Sequence, residues 1–242
     1  MTAIIDPRTL LEAAALERTR RSGRRIDALF PDEGNLRRAL YVKHLEFFKA
    51  GAVHRERLFL AGNRVGKSDT GCYEDTLHLT GEYPHWWEGR RFACPVEAWV
   101  AGDTSLTVRD ILQQKLLGKW GEFGTGLIPR DALVHWTAKR GVPDTVDTIF
   151  VKSLAGGVSS LSFKSYAEGR ENYQGSARHL IHCDEEPPSA IWTECLMRSM
   201  IVPHCAEGGI CMITMTPVEG WSDLIETFLG AQANAPADGV TS

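Results

Sequence analysis

Apolar residues fall along this chain in two kinds of block. Blocks spaced three or four residues apart predict helices, and short compact runs bounded by glycine, proline or acids predict strands. The spacing predicts helices over 7–20, 35–50, 67–79, 105–117 and 189–200. Asp6 and Pro7 suit the cap and first turn of the first helix. Leu36, Leu40, Phe47 and Phe48 give the second helix its apolar face, and Gly51 is its stop. Strands are predicted at RLFLAG (57–62), EAWVAG (97–102), TIFVKS (148–153), SSLSFKS (159–165), HLIHCDEE (179–186) and GGICMITMTP (208–217). Ala155-Gly156-Gly157 reads as a hairpin turn, and the closing AQANAPADGVTS as linker or tail.

Strands alternating with helices predict an α/β fold, with a mostly parallel central sheet flanked by helices. The expected organisation is an N-terminal helical arm over 1–34, one α/β domain over 35–230 and a tail over 231–242. Ligands in such sheets gather at the carboxyl ends of the strands. The chemically interesting residues stand at those ends: Gly62 to Ser68, Gly102 to Ser105, Asp184-Glu185 and Thr214 to Pro217.

Composition narrows the picture only slightly. A chain of 242 residues, 43% hydrophobic, can bury a sizeable core, and a net charge of −4 gives no sign of a nucleic-acid coat. Local basic sites are compatible with that total. Arg18, Arg20, Arg21, Arg24 and Arg25 form one cluster, read either as a solvated helix end or as a contact with DNA or a partner protein. The six cysteines include no Cys-x-x-Cys pair, which points to reduced thiols in a cytoplasmic protein. His204-Cys205 with Cys211 is a faint metal pattern, and buried small hydrophobes explain those thiols as well. No apolar run reaches the roughly 20 residues of a membrane span, and the N-terminus has no signal-peptide pattern.

Candidate chemistry centres on Ala61-Gly62-Asn63-Arg64-Val65-Gly66-Lys67-Ser68. A phosphate-wrapping loop needs inward backbone N–H groups, little side-chain bulk and a helix N-terminus behind it. The frame matches the P-loop pattern G-x-x-x-x-G-K-[ST] except at its first position, where Ala61 stands for glycine. Lys67 is placed to reach the β- and γ-phosphates, and Ser68 to ligate Mg²⁺. Gly62, Asn63, Arg64, Val65, Gly66 and Asp69 complete the expected nucleotide-contacting set.

A Mg²⁺-nucleotide hydrolase also needs an acid for the metal shell and a carboxylate for the attacking water. HLIHCDEE supplies Asp184 and Glu185 in that order, and an acidic cap on the following helix is the bland alternative. Glu186, before Pro187-Pro188, reads as structural. His182 interrupts the apolar run and reads as a neutral packed histidine rather than a catalytic one.

Together these residues resemble the ATPase part of the large subunit of tailed-phage terminases, the motors that package DNA. The resemblance runs from about Tyr41 to Leu229, through AGNRVGKS, HLTGEYPHWWEGRRF, SYAEGRENYQG, HCDEEPPSAIWTE and MITMTP. Trp86 and Trp87 within it read as packing. The resemblance implies an ASCE-type P-loop NTPase fold with ATP and Mg²⁺ as ligands. It implies phosphate and metal roles for Lys67 and Ser68, and metal and water-activating roles for Asp184 and Glu185. It makes Thr214 and Thr216 part of a coupling motif that senses the γ-phosphate; β-strand propensity is the plain alternative for Thr214. His44 occupies the place where the family usually carries an adenine-reading glutamine. An arginine finger is expected, with Arg64 acting in cis or Arg170 in a neighbouring subunit, and Arg109 and Arg178 behind them. The implied partners are double-stranded DNA, the terminase small subunit, the portal protein of the procapsid and other copies in a ring, in the host cell cytoplasm and away from membranes. Full-length relatives continue into a nuclease domain, for which this chain shows no separate acidic cluster.

Three other readings remain open on sequence alone. One is another nucleic-acid-stimulated P-loop ATPase, helicase-like, for which 242 residues leave no room for a second motor lobe. Another is a nucleotide-bound assembly module that does not turn over. A small-molecule kinase is the third, though no arginine-rich lid is visible.

Overall fold

The computed structural model of the protein describes residues 11, 23–217 and 220–233. The helix expected over 7–20 (Leu11 apart, which is helical), the arginines at 18, 20 and 21, and the tail beyond 233 lie outside the described residues. Seven strands form one sheet: β1 Glu56–Leu60, β2 Glu97–Gly102, β3 Leu133–Ala138, β4 Val146–Lys152, β5 Val158–Ser165, β6 Leu180–Asp184 and β7 Ile210–Met215. Their order is β1-β7-β6-β2-β5-β4-β3. The five strands from β1 to β5 in that order run parallel, while β4 and β3 extend the sheet antiparallel. β7 stands between β1 and β6, the strand order that the ASCE-type expectation requires.

Burial explains why these sequences are strands. β6 and β7 are buried at every position, as continuous apolar runs in a parallel sheet covered on both faces should be. Period-two alternation then sorts their side chains between two cores. Val100, Leu180, Ile210 and Met212 join the larger core with Tyr73 and Leu77, whereas Trp99, Ile181, Cys183, Cys211 and Ile213 join the smaller one with Ile191 and Trp192.

The helices are α1 Val42–Ala50, α2 Lys67–Thr80, α3 (Ser105–Thr107, Val108–Gln113 and Gln114–Leu117, π-wound in its middle segment), α4 Ser189–Met200 and α5 Asp223–Ala233. The helix expected from residue 35 begins at Val42, after a 3₁₀ turn over Arg38–Leu40. Leu36 and Leu40 are exposed, so their spacing did not mark a buried face. β3 and α5 had no counterpart among the predicted elements. β3 is an edge strand with only Leu133 and Trp136 half-buried, so it lacks the apolar run that reveals a strand. No helix among the described residues is long and apolar enough to cross a membrane.

Packing carries across the expected arm boundary at residue 34. Ile26 and Phe30 belong to the larger core, and the Phe30 ring meets Tyr73 at 5.0 Å between centroids. Arg24 is not a solvated cation: its side chain is buried against Glu82 and Asp27. Trp87 is buried against Phe48, with ring centroids 4.9 Å apart, and Trp86 stacks on Tyr73.

Candidate active site

Strand register brings the candidate residues together. Leu60 pairs with Met215, and Asp184 with Thr214, so β1, β6 and β7 end side by side. The chain leaving β1 forms the loop over 61–66, and α2 begins at Lys67. Gly66, at φ +84°, turns the loop into the helix in a left-handed conformation that favours glycine. Arg64 also has positive φ, +63°, and its side chain is exposed. A strained non-glycine residue costs about 1–3 kcal/mol and is characteristic of functional loops.

Lys67 Nζ donates to the Gly62 carbonyl at 2.8 Å, across the loop. Ser68 Oγ donates to Asp184 Oδ2 at 3.1 Å, and Thr214 Oγ1 donates to Asp184 Oδ1 at 2.7 Å. The strand-end acid is therefore held through both oxygens, one facing the phosphate loop. A hydroxyl and a carboxylate converging in this way are hard oxygen donors of the type Mg²⁺ prefers.

Glu185 follows in a left-handed conformation, φ +65°, which turns it out of the strand direction. The Thr216 backbone N–H donates to its Oε2 at 3.1 Å, and its own N–H donates to the Thr214 carbonyl. Burial raises its pKa; the Thr216 hydrogen bond and the Lys67 charge pull the other way. Thr216 Oγ1 donates to Asn63 Oδ1 at 3.0 Å, tying the segment after β7 to the phosphate loop.

The remaining candidates have partners that the sequence did not show. Asp69 lines a cavity with His44, Arg64 and Gly66, and its carboxylate is paired: Lys115 Nζ donates to its Oδ2 at 2.6 Å, and Arg25 lies 3.9 Å from its Oδ1. His44 Nε2 lies 3.0 Å from the Val65 carbonyl, and the ring packs edge-on against Tyr41 and Phe59. Burial lowers its pKa, so the neutral ring donates to and braces the loop. That cavity, of about 440 Å³, opens beside it, lined among others by Phe30, Tyr41, Arg64 and Gly66. Arg170 Nε donates to the buried Glu194 on α4. Arg109 pairs with Asp110, and Arg178 pairs with Glu97 and stacks over Trp99.

His182 is the residue that the sequence undersold. It is fully buried, with Nδ1 2.7 Å from Asp75 Oδ2 and Nε2 2.9 Å from Thr214 Oγ1. Burial alone disfavours its charge, but the Asp75 charge and hydrogen bond, with Asp184 adding, lift its pKa to about 9. Burial also raises Asp75, against the pull of His182. The ring is packed, as its place in an apolar strand suggests, and it is also hydrogen-bonded at both nitrogens. The signal was the i, i+2 spacing of His182 and Asp184, which puts both on one face of β6. Gly71 on α2 leaves room for the ring: a Cβ there would lie 2.2 Å from His182 Cε1.

All six cysteines are free thiols. Among the described residues the grouping close enough to share a metal ion is Cys72, Asp75 and His182, not His204, Cys205 and Cys211.

Comparison with known proteins gives a consistent result. Residues 58–233 match the family model described as terminase large subunit, T4likevirus-type, N-terminal. The large terminase subunit of Salmonella phage P22 is 37% identical over 211 residues, covering 79% of this chain. This chain spans 41% of that relative's length. Among solved structures, a mutant of the large terminase ATPase domain of Thermus phage P74-26 matches with 16% identity and a TM-score of 0.46, covering 78% of this chain and 73% of that one. The large terminase of bacteriophage D6E in complex with ATP-gamma-S matches with 10% identity and a TM-score of 0.44, covering 71% and 36% respectively.

Proposed function

The chain belongs to the N-terminal family of T4-like-virus-type terminase large subunits, and from that premise we propose that it is the ATP-hydrolysing motor domain that drives double-stranded DNA into a viral procapsid. The observation that carries this reading is the convergence of Lys67, Ser68, Asp184 and Glu185 at three adjacent strand ends, with Ser68 Oγ and Asp184 Oδ2 3.1 Å apart.

In this reading the backbone amides around Gly66 and the α2 N-terminus hold the phosphates, and Lys67 adds a cation. Ser68 and Asp184 would hold Mg²⁺, which would supply charge to offset that of the phosphates. Glu185 orients and deprotonates the attacking water; burial brings its carboxyl toward working pH, as suits a general base. The cavity beside His44 takes the base, and Arg64, exposed in the loop, contributes charge in cis. Arg170, ion-paired to Glu194, serves a neighbouring copy only if that pair opens in a ring. Thr216 relays γ-phosphate loss, because its hydroxyl joins Asn63 while its backbone N–H holds Glu185. The partners are DNA, the small subunit, the portal and further copies of the chain, in the host cytoplasm.

Phosphate release tests the assignment. Glu185→Gln should bind ATP with wild-type affinity and turn it over about 10²- to 10⁴-fold more slowly. Lys67→Ala should lose nucleotide binding. Equal turnover by Glu185→Gln and wild type would remove Glu185 from the reaction.

A further inference from the structure

Hydrogen-bond capacity fixes the direction of a buried chain leading to Asp184. The Thr214 hydroxyl has one proton, and it is spent on Asp184 Oδ1 at 2.7 Å. His182 Nε2, 2.9 Å from the same oxygen, must therefore be the donor there. Nδ1 then meets Asp75 Oδ2 at 2.7 Å through the one remaining proton, whichever atom carries it. The order is Asp75, His182, Thr214, Asp184, with Ser68 donating to the far oxygen of Asp184. Asp75, His182 and Thr214 are all buried, and they come from α2, β6 and β7. Nothing in general acid–base chemistry at the strand ends uses Asp75 or His182, yet two ionisable groups are kept in the core there.

We propose that Asp75 and His182 are positioning residues: acting through Thr214, they fix the orientation in which Asp184 presents its carboxylate beside Ser68 to the cation. This rests on the nucleotide-site reading above. The effect is indirect, since neither residue touches the site. With the His182 N–H in place, Thr214 can only donate toward Asp184; without it, the hydroxyl keeps Asp184 as an acceptor but loses the donor that polarises it and fixes its orientation, so the hold on Asp184 slackens. Partners that orient metal-holding carboxylates typically change metal affinity about 10- to 100-fold when removed.

The experiment is a Mg²⁺ titration of fluorescent ATP-analogue binding to the whole chain, paired with binding in EDTA and with thermal melts to check folding. His182→Leu and Asp75→Ala should raise half-saturating Mg²⁺ about 10- to 100-fold while metal-free nucleotide binding stays at the wild-type level. Asp75→Asn, whose amide can donate to Nδ1, should restore most of the Mg²⁺ affinity lost in Asp75→Ala. Thr214→Val should show a shift at least as large as His182→Leu, and adding His182→Leu to Thr214→Val should add nothing further, because both act on one path. Should His182→Leu fail to fold, Thr214→Val against its hydroxyl-retaining counterpart Thr214→Ser, together with Asp75→Ala, carries the test. Unchanged Mg²⁺ half-saturation in folded variants, or additive effects in the double variant, overturns the proposal. So does a stoichiometric metal in purified wild type that is lost in Asp75→Ala, which would make Cys72, Asp75 and His182 a metal centre. Lys67→Ala separates the two levels. If it binds Mg²⁺-nucleotide as wild type does, the site reading fails; if it loses binding while His182→Leu is indistinguishable from wild type, only the positioning role fails.

Discussion

Glu74 and Asp75 are neighbours on α2, both wholly buried, and their carboxylates are partnered in opposite ways. Glu74 is closed on all sides: Arg57 donates to its two oxygens at 2.6 and 3.1 Å, and His78 Nε2 lies 3.1 Å from Oε1. Arg57 in turn donates to the Phe47 carbonyl and stacks over the Phe47 ring. Asp75 has one partner, His182, and its Oδ1 has none among the described residues. A guanidinium cannot give up its proton, so Glu74 must stay ionised. An imidazole can, so Asp75 and His182 can settle their charge between them. The first cluster clamps α1, β1 and α2 together; the second leads toward the candidate active site.

Four measurements press on that difference. The largest effect belongs to Glu74→Gln, which strands the buried Arg57 charge and should cost about 3–5 kcal/mol in denaturant unfolding. Its half-saturating Mg²⁺ should not move if the fold survives. Next comes pH. Burial opposes the charge of Glu74, but Arg57 and His78 outweigh it and hold its pKa at about 2, below the ordinary 4.5. A depressed carboxyl stabilises the fold fully above its unfolded pKa and loses that contribution as pH falls toward the folded value. Wild-type stability should therefore decline by on the order of 3 kcal/mol between about pH 4.5 and 2. The Glu74→Gln chain should lack that share of the acid limb. Asp75→Asn should cost far less, about 1 kcal/mol, because neutral His182 accepts from the new amide. A loss equal to that of Glu74→Gln would show that the two clusters are the same kind of anchor. The smallest effect is expected from Thr214→Ser, which keeps the hydroxyl and removes one buried methyl, at about 1 kcal/mol or less. Its Mg²⁺ half-saturation should match wild type.

The candidate site was more legible than the framework that holds it. The phosphate loop, Asp184 and Glu185 announce themselves through residue type and spacing, and β6 and β7 through unbroken apolar runs. The α/β alternation predicted the parallel part of the sheet because each parallel strand needs a crossover. The antiparallel end was harder. β3 buries little, so its sequence carries no strong period, and the turn at 155–157 revealed β4 and β5 but not their outer neighbour. Asp69 illustrates another limit: sequence places it one residue from Ser68 but does not show its pairing with Lys115 on α3. Asp75 and His182 are 107 positions apart, and only the packing of α2 against β6, permitted by Gly71, makes them a pair. Arg57 opens the predicted strand over 57–62 with nothing local to mark it as buried; its partner Glu74 lies seventeen residues on.

The most direct test of the central claim is a crystal structure of the chain with a non-hydrolysable ATP analogue and Mg²⁺. The expected result places the β- and γ-phosphates on the amides around Gly66 with Lys67 beside them. Mg²⁺ should sit about 2.1 Å from Ser68 Oγ, with Asp184 bound directly or through one of its waters, and the base should lie in the cavity next to His44. A triphosphate bound elsewhere, or a cation that ignores both Ser68 and Asp184, would contradict the account.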